Sequence, residues 1–127
     1  MASAAPIPPK SPKVLIVEDE AGLRSLVADI LQDDGGFRLL VAGSADEAFE
    51  ILLVNGDVDC VFTDIRMPGD RNGIDLAKGV LSTYPTVKAL IRSGDSTSAP
   101  PLDGVPFLPK PYDLLALPDR LRGLLAA

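Results

Sequence analysis

The chain contains no histidine, no tryptophan and a single cysteine, and aromatic residues make up only 5% of it. Without histidine there can be no Ser-His-Asp triad, no histidine metal site and no histidine phosphodonor within this chain. Any phosphohistidine chemistry must come from a partner. Cys60 lies in an apolar run and reads as a small buried hydrophobe. A lone cysteine cannot form an intrachain disulfide, which fits a reducing, cytoplasmic compartment. No apolar stretch approaches the length of a membrane span, so no membrane contact is expected. Positive charge is also scarce: 12 Lys and Arg stand against 18 Asp and Glu, for a net charge of −6. That balance argues against nucleic-acid binding, which needs a basic surface to displace counterions from phosphates.

What is present suffices for one domain with a real core, since 46% of the 127 residues are hydrophobic. Residues 1–12, with prolines at 6, 8, 9 and 12, are predicted to be a disordered tail, and 13–127 the folded domain. Five short apolar runs read as strands: Lys13 to Val17, Phe37 to Ala42, Asp59 to Thr63, Val87 to Arg92 and Val105 to Leu108. Between them lie helical patterns. Leu23, Leu26, Val27, Ile30 and Leu31 share one face before Gly35-Gly36, and Ala45, Ala48, Phe49, Leu52 and Leu53 share another after a Ser44–Glu47 capping box. Leu76, Ala77, Val80, Leu81 and Tyr84 line a third helix starting at Gly73 or Ile74. A last helix, capped by Asp113, carries Leu114, Leu117, Leu121, Leu124 and Leu125, with a kink or restart expected at Pro118.

Strands alternating with helices imply an α/β fold, a doubly wound five-stranded parallel sheet covered on both faces. The order 2-1-3-4-5 is taken over from folds of this type. The connection GDSTSAPPLDG, residues 94–104, carries Pro100-Pro101 and predicts that the fourth of five helices is shortened or missing.

Ligands of such sheets gather beyond the carboxyl ends of the strands. Strand one is followed there by Glu18 and Asp19, strand three by Asp64, strand four by Ser93 and strand five by Lys110. Three carboxylates at one rim repel one another, and a hard, oxygen-seeking cation relieves this, Mg2+ being the natural candidate. Asp64 is then the nucleophile for a phosphoryl group, with Lys110 and the ion neutralising its oxygens and Ser93 offering a hydroxyl.

With Glu18-Asp19, Asp64 followed by Met67-Pro68, Ser93-Gly94 and Lys110-Pro111 in this order, the chain resembles the response-regulator receiver domains of two-component signalling, from about Lys13 to Leu125. The resemblance implies a flavodoxin-like receiver fold and Asp64 as phosphoacceptor. It also implies metal ligation by Glu18, Asp19, Asp64 and the backbone carbonyl of Arg66, with Ser93 as switch hydroxyl, Lys110 as the family's lysine and Phe107 as the reorienting aromatic. Lys110-Pro111 resembles the family's cis peptide. The loop from Met67 to Gly73 is one residue longer than the commonest form and is similar to receivers of hybrid histidine kinases. Arg66 and Asp95, each two residues past Asp64 and Ser93, are expected to form a screened ion pair gating the pocket.

The partners this implies are a histidine kinase or histidine phosphotransfer protein and a downstream protein, with the chain a monomer or weak dimer. Slow hydrolysis of its own acyl phosphate is the one catalytic activity expected. Because residue 127 closely follows the last helix, signalling by protein contact without an output domain is the expectation. A phosphorylation-independent binding module and a phosphate sink or phosphorelay intermediate are the alternatives. A phosphohydrolase of the haloacid-dehalogenase type would need a second aspartate where Arg66 stands. A nucleotide-binding module would need a glycine-rich loop where the acids stand.

Overall fold

The structure, a computed structural model, describes residues 11–66, 69–92, 105–108 and 114–126. In chain order the elements are β1 (Lys13–Val17), α1 (Ala21–Asp34), β2 (Arg38–Ala42), α2 (Ala45–Val54), β3 (Cys60–Asp64), α3 (Gly73–Thr83), β4 (Lys88–Arg92), β5 (Phe107–Leu108), a 3-10 turn (Leu114–Ala116) and α4 (Leu117–Ala126). The strands are all parallel in the order β2-β1-β3-β4-β5. The predicted α/β class and strand order both hold. The call on the helix between β4 and β5 falls on 94–104, outside the described residues, as do Ser93, Asp95, Lys110-Pro111 and the Asp113 cap.

Alternation along the strands splits the core in two. Val14 and Ile16 of β1, Cys60 and Phe62 of β3, and Leu90 of β4 meet Val27 and Leu31 of α1 and Leu117 and Leu121 of α4. On the opposite face Leu15, Val17 and Val61 meet Ala48 and Leu52 of α2 and Leu76 and Val80 of α3. Continuous apolar strands follow from this double coverage. The helical stripes are narrower than predicted: Leu26, Leu53 and Leu81 are exposed, because each lies at the margin of its stripe, turned away from the sheet. Cys60 is fully buried, and burial pushes its thiol up to about 12, leaving it a packing residue.

Several element ends are set by local chemistry. Gly35 closes α1 in the left-handed region at φ 79°, its N–H bonded to the Gln32 carbonyl. Ser44 caps α2 through the Glu47 N–H at 3.1 Å, but the Glu47 carboxylate accepts from the Gly43 N–H rather than from Ser44, so the predicted box closes one residue early. The reciprocal box belongs instead to α3, where Asn72 and Asp75 each accept the other's backbone N–H at 2.9 Å. Pro118 stands in the first turn of α4, just after the 3-10 turn. The predicted restart is therefore what occurs, at a place where proline costs no helical hydrogen bond.

The amino-terminal rim is tied by charge. The Lys13 ammonium lies 2.8 Å from the Asp57 carboxylate, and the Arg38 guanidinium reaches the same oxygen at 3.2 Å. Arg38 also donates to the carbonyls of Ser11 and Pro12, fastening the chain just before β1 to β2. The Lys13 hydrogen bond holds the Asp57 carboxyl below its ordinary range. A depressed folded pKa adds stability above the unfolded value, and that stability is lost as pH falls through the folded value. Urea titrations of the wild type and Asp57→Asn should therefore differ at neutral pH and converge once pH drops below the ordinary aspartate range. Salt should shrink the neutral-pH difference, because the contact is exposed.

Candidate functional site

The ends of β1, β3 and β4 lie side by side at the carboxyl rim, β1 beside β3 and β3 beside β4. Glu18 leaves β1 with its N–H bonded to the Ala42 carbonyl of β2 at 3.0 Å, which keeps it in line with the sheet. Its carboxylate is buried and accepts the Glu20 N–H at 3.1 Å, at the residue that opens α1. Arg24, one turn into α1, donates to the Glu18 carbonyl at 2.8 Å. Asp64 is the last residue of β3 itself, one step earlier than the sequence placed it, and pairs in register with Arg92. One Asp64 oxygen, Oδ1, accepts the Ile65 N–H at 2.8 Å, fixing the carboxylate's rotation.

Carboxylate oxygens of Glu18, Asp19 and Asp64 all lie within 4.8 Å of one another, with Glu18 buried, Asp64 half-buried and Asp19 exposed. Burial pushes the Glu18 carboxyl above its ordinary range, against the pull of the Glu20 N–H and the Arg92 charge. The fourth member of the cluster was not foreseen. Nη2 of Arg92 lies 2.5 Å from Glu18 Oε1 and 2.9 Å from Asp64 Oδ2, so one guanidinium nitrogen bridges two carboxylates. The signal was an arginine closing an otherwise apolar strand end, Ala89-Leu90-Ile91-Arg92. A charge at that place needs a partner, and three acids stood nearby.

The loop after β3 returns to the site through Gly73. Its N–H donates to the Ile65 carbonyl at 2.8 Å, and a β-carbon there would fall 1.8 Å from the Asp64 carbonyl oxygen. Close approach of α3 to the strand end thus requires glycine. Arg71 pins the same loop to α2 by an ion pair with Asp46 and by lying 4.2 Å over the Phe49 ring. Phe107 is half-buried beside Ala89, Ile91 and Val105, its carbonyl accepting from Arg120 at 3.0 Å. Arg66 is exposed. Three of the predicted residues are therefore together, while Ser93, Asp95 and Lys110 lie outside the described residues.

A model of the response regulator receiver domain matches residues 14–122. The chain belongs to this family. The receiver is 30% identical to the transcriptional regulatory protein CpxR of Escherichia coli K12 over 117 residues, covering 89% of this chain and 49% of CpxR. It thus spans about half the length of the curated relatives it matches first. Among solved structures it is similar to the non-phosphorylated HemR receiver domain from Leptospira biflexa, at 30% identity and a TM-score of 0.76, covering 91% of this chain and 95% of that one. The receiver domain of the hybrid histidine kinase CckA is 34% identical with a TM-score of 0.73, covering 89% and 98%. The expected likeness to receivers of hybrid kinases is thus present.

Receiver domains bind Mg2+ at an acidic pocket. The donors here fit that ion: all are hard carboxylate oxygens, and exposed Asp19 leaves one side open to the waters that Mg2+ retains. Among the described residues no helix is long and apolar enough to cross a membrane.

Proposed function

We propose that this receiver accepts a phosphoryl group on Asp64 from the phosphohistidine of a histidine kinase or phosphotransfer protein, and reports the event by protein contact. The observation that carries this is the convergence of Glu18, Asp19 and Asp64 at the rim, with Asp64 central among the strand ends. Asp64 Oδ2, the oxygen that the Ile65 N–H does not hold, attacks phosphorus, a new O–P bond forms, and the partner's N–P bond breaks. The departing imidazole takes its proton from solvent. The donor must be external because this chain has no histidine.

The chain's own residues prepare that step. The Ile65 N–H holds Oδ1, so the carboxylate presents a defined edge rather than rotating freely. Glu18, Asp19, Asp64 and the Arg66 carbonyl would hold Mg2+, and Lys110 and Ser93, which follow strands five and four in the sequence, are the residues we assign to the phosphoryl oxygens. Bound there, the ion supplies positive charge against the phosphoryl oxygens. Phe107, half-buried at the start of β5, is the residue we assign to the conformational response, and hydrolysis of the acyl phosphate resets the site.

The test is incubation with acetyl phosphate and Mg2+ followed by intact-mass and peptide analysis. One phosphoryl group, labile to hydroxylamine and located on the peptide carrying Asp64, is expected. Stable incorporation elsewhere would overturn the assignment.

A further inference from the structure

We propose that Arg92 is a built-in counter-cation that competes with the divalent metal for Glu18 and Asp64, and so sets how tightly the pocket takes Mg2+. The inference rests on the metal reading above and adds to it a residue that opposes binding. Arg92 reaches the pocket because β3 and β4 pair in register, Asp64 beside Arg92, which directs both side chains to the same face of the sheet. Its nitrogen lies at hydrogen-bond distance from both Glu18 and Asp64, two of the three acids that could bind an ion. All three side chains are nearly closed to solvent, at 11% for Arg92, 6% for Glu18 and 16% for Asp64.

Two physical facts turn this geometry into competition. A guanidinium cannot shed its charge in a protein, so deprotonation offers no escape when a dication approaches. Mg2+ also requires its oxygen ligands at about 2.0–2.1 Å in a strict octahedron, and on Glu18 Oε1 or Asp64 Oδ2 it would stand against the guanidinium charge already held there. Metal entry therefore has to turn Glu18 or Asp64 away from the guanidinium, or displace the guanidinium itself. In the absence of metal, Arg92 relieves the mutual repulsion of the acids.

A merely structural Arg92 and a competing one predict opposite signs. Loss of a structural brace loosens the pocket and weakens metal binding, whereas loss of a competitor strengthens it. Because the chain has no tryptophan, Mg2+ titration is followed by calorimetry at fixed ionic strength, on the wild type, Arg92→Met, Arg92→Lys and Arg24→Met. Arg24 is the control for charge alone, since it donates to the Glu18 backbone carbonyl. Arg92→Met is expected to bind Mg2+ about tenfold more tightly, because close, desolvated charge pairs couple strongly. Arg92→Lys stays near wild type, and Arg24→Met changes affinity by about threefold or less.

Equal or weaker binding by folded Arg92→Met, or an equal gain in Arg24→Met, overturns the proposal while leaving the metal site intact. Failure of every variant and the wild type to bind Mg2+ overturns the metal reading, and the competition with it. Should Arg92→Met not fold, the guanidinium NMR signals of wild-type Arg92 decide. They must move toward those of a free arginine in step with Mg2+ binding, and signals unmoved at saturation sink the proposal.

Discussion

Asp64→Asn is expected to abolish phosphoryl incorporation, from acetyl phosphate and from kinase alike, by about 10³-fold or more. The asparagine keeps an oxygen that can accept the Ile65 N–H, so the local backbone has no reason to move. What it lacks is the anionic oxygen that forms the O–P bond. The fold should survive, because Arg92 retains its contact with Glu18 at 2.5 Å and one of three mutually repelling charges is removed. Circular dichroism and thermal melting should therefore be close to wild type while mass spectrometry shows no adduct. Undiminished labelling in this variant would move the acceptor elsewhere.

Gly73→Ala is expected to be the most damaging single methyl in the described structure. The new β-carbon would stand 1.8 Å from the Asp64 carbonyl oxygen, 2.8 Å from its carbon and 3.0 Å from the Ile65 α-carbon. These are backbone atoms, and no rotamer change relieves the overlap. Either α3 moves off or the end of β3 shifts, and both routes strain the Gly73 N–H bond to Ile65. Overpacking usually costs 1–3 kcal/mol and here should reach about 3 kcal/mol. For a domain of this size that lowers the melting temperature by roughly 10 °C. Because the displaced atoms belong to Asp64 and Ile65, phosphorylation should slow as well, a loss that a purely distant destabilisation would not produce in the folded fraction. Gly79→Ala is the natural comparison, since its β-carbon would meet the Phe49 ring, a side chain that can shift.

The two glycines illustrate where sequence reading stops. Gly73 was legible as a helix start, but its contact with Asp64 is a distance between segments that no local pattern encodes. The capping chemistry shows the same limit. Ser44-Ala45-Asp46-Glu47 reads as a box, yet the box that closes reciprocally is Asn72–Asp75, because only geometry decides which N–H a carboxylate meets. Arg92 was read as the end of an apolar strand. Its partnership depends on a register between β3 and β4 that a parallel crossover leaves open.

By contrast, much of the receiver was determined by the chain alone. Short apolar runs bounded by turns suit strands buried on both faces, and their alternation with helical stripes points to a sheet covered by those helices, so the pattern of elements gave the parallel α/β core. Acids at the ends of parallel strands gather at the carboxyl rim, and the strand order taken over from folds of this type set strands one and three side by side, which is why Glu18, Asp19 and Asp64 could be grouped in advance. Only the tertiary structure showed that an arginine also answers them. Lysine and metal were the expectation from residue types, and to these an in-register strand pair adds Arg92 at the same oxygens. Charge demands a partner wherever it is buried, and the fold chooses among the candidates by distance.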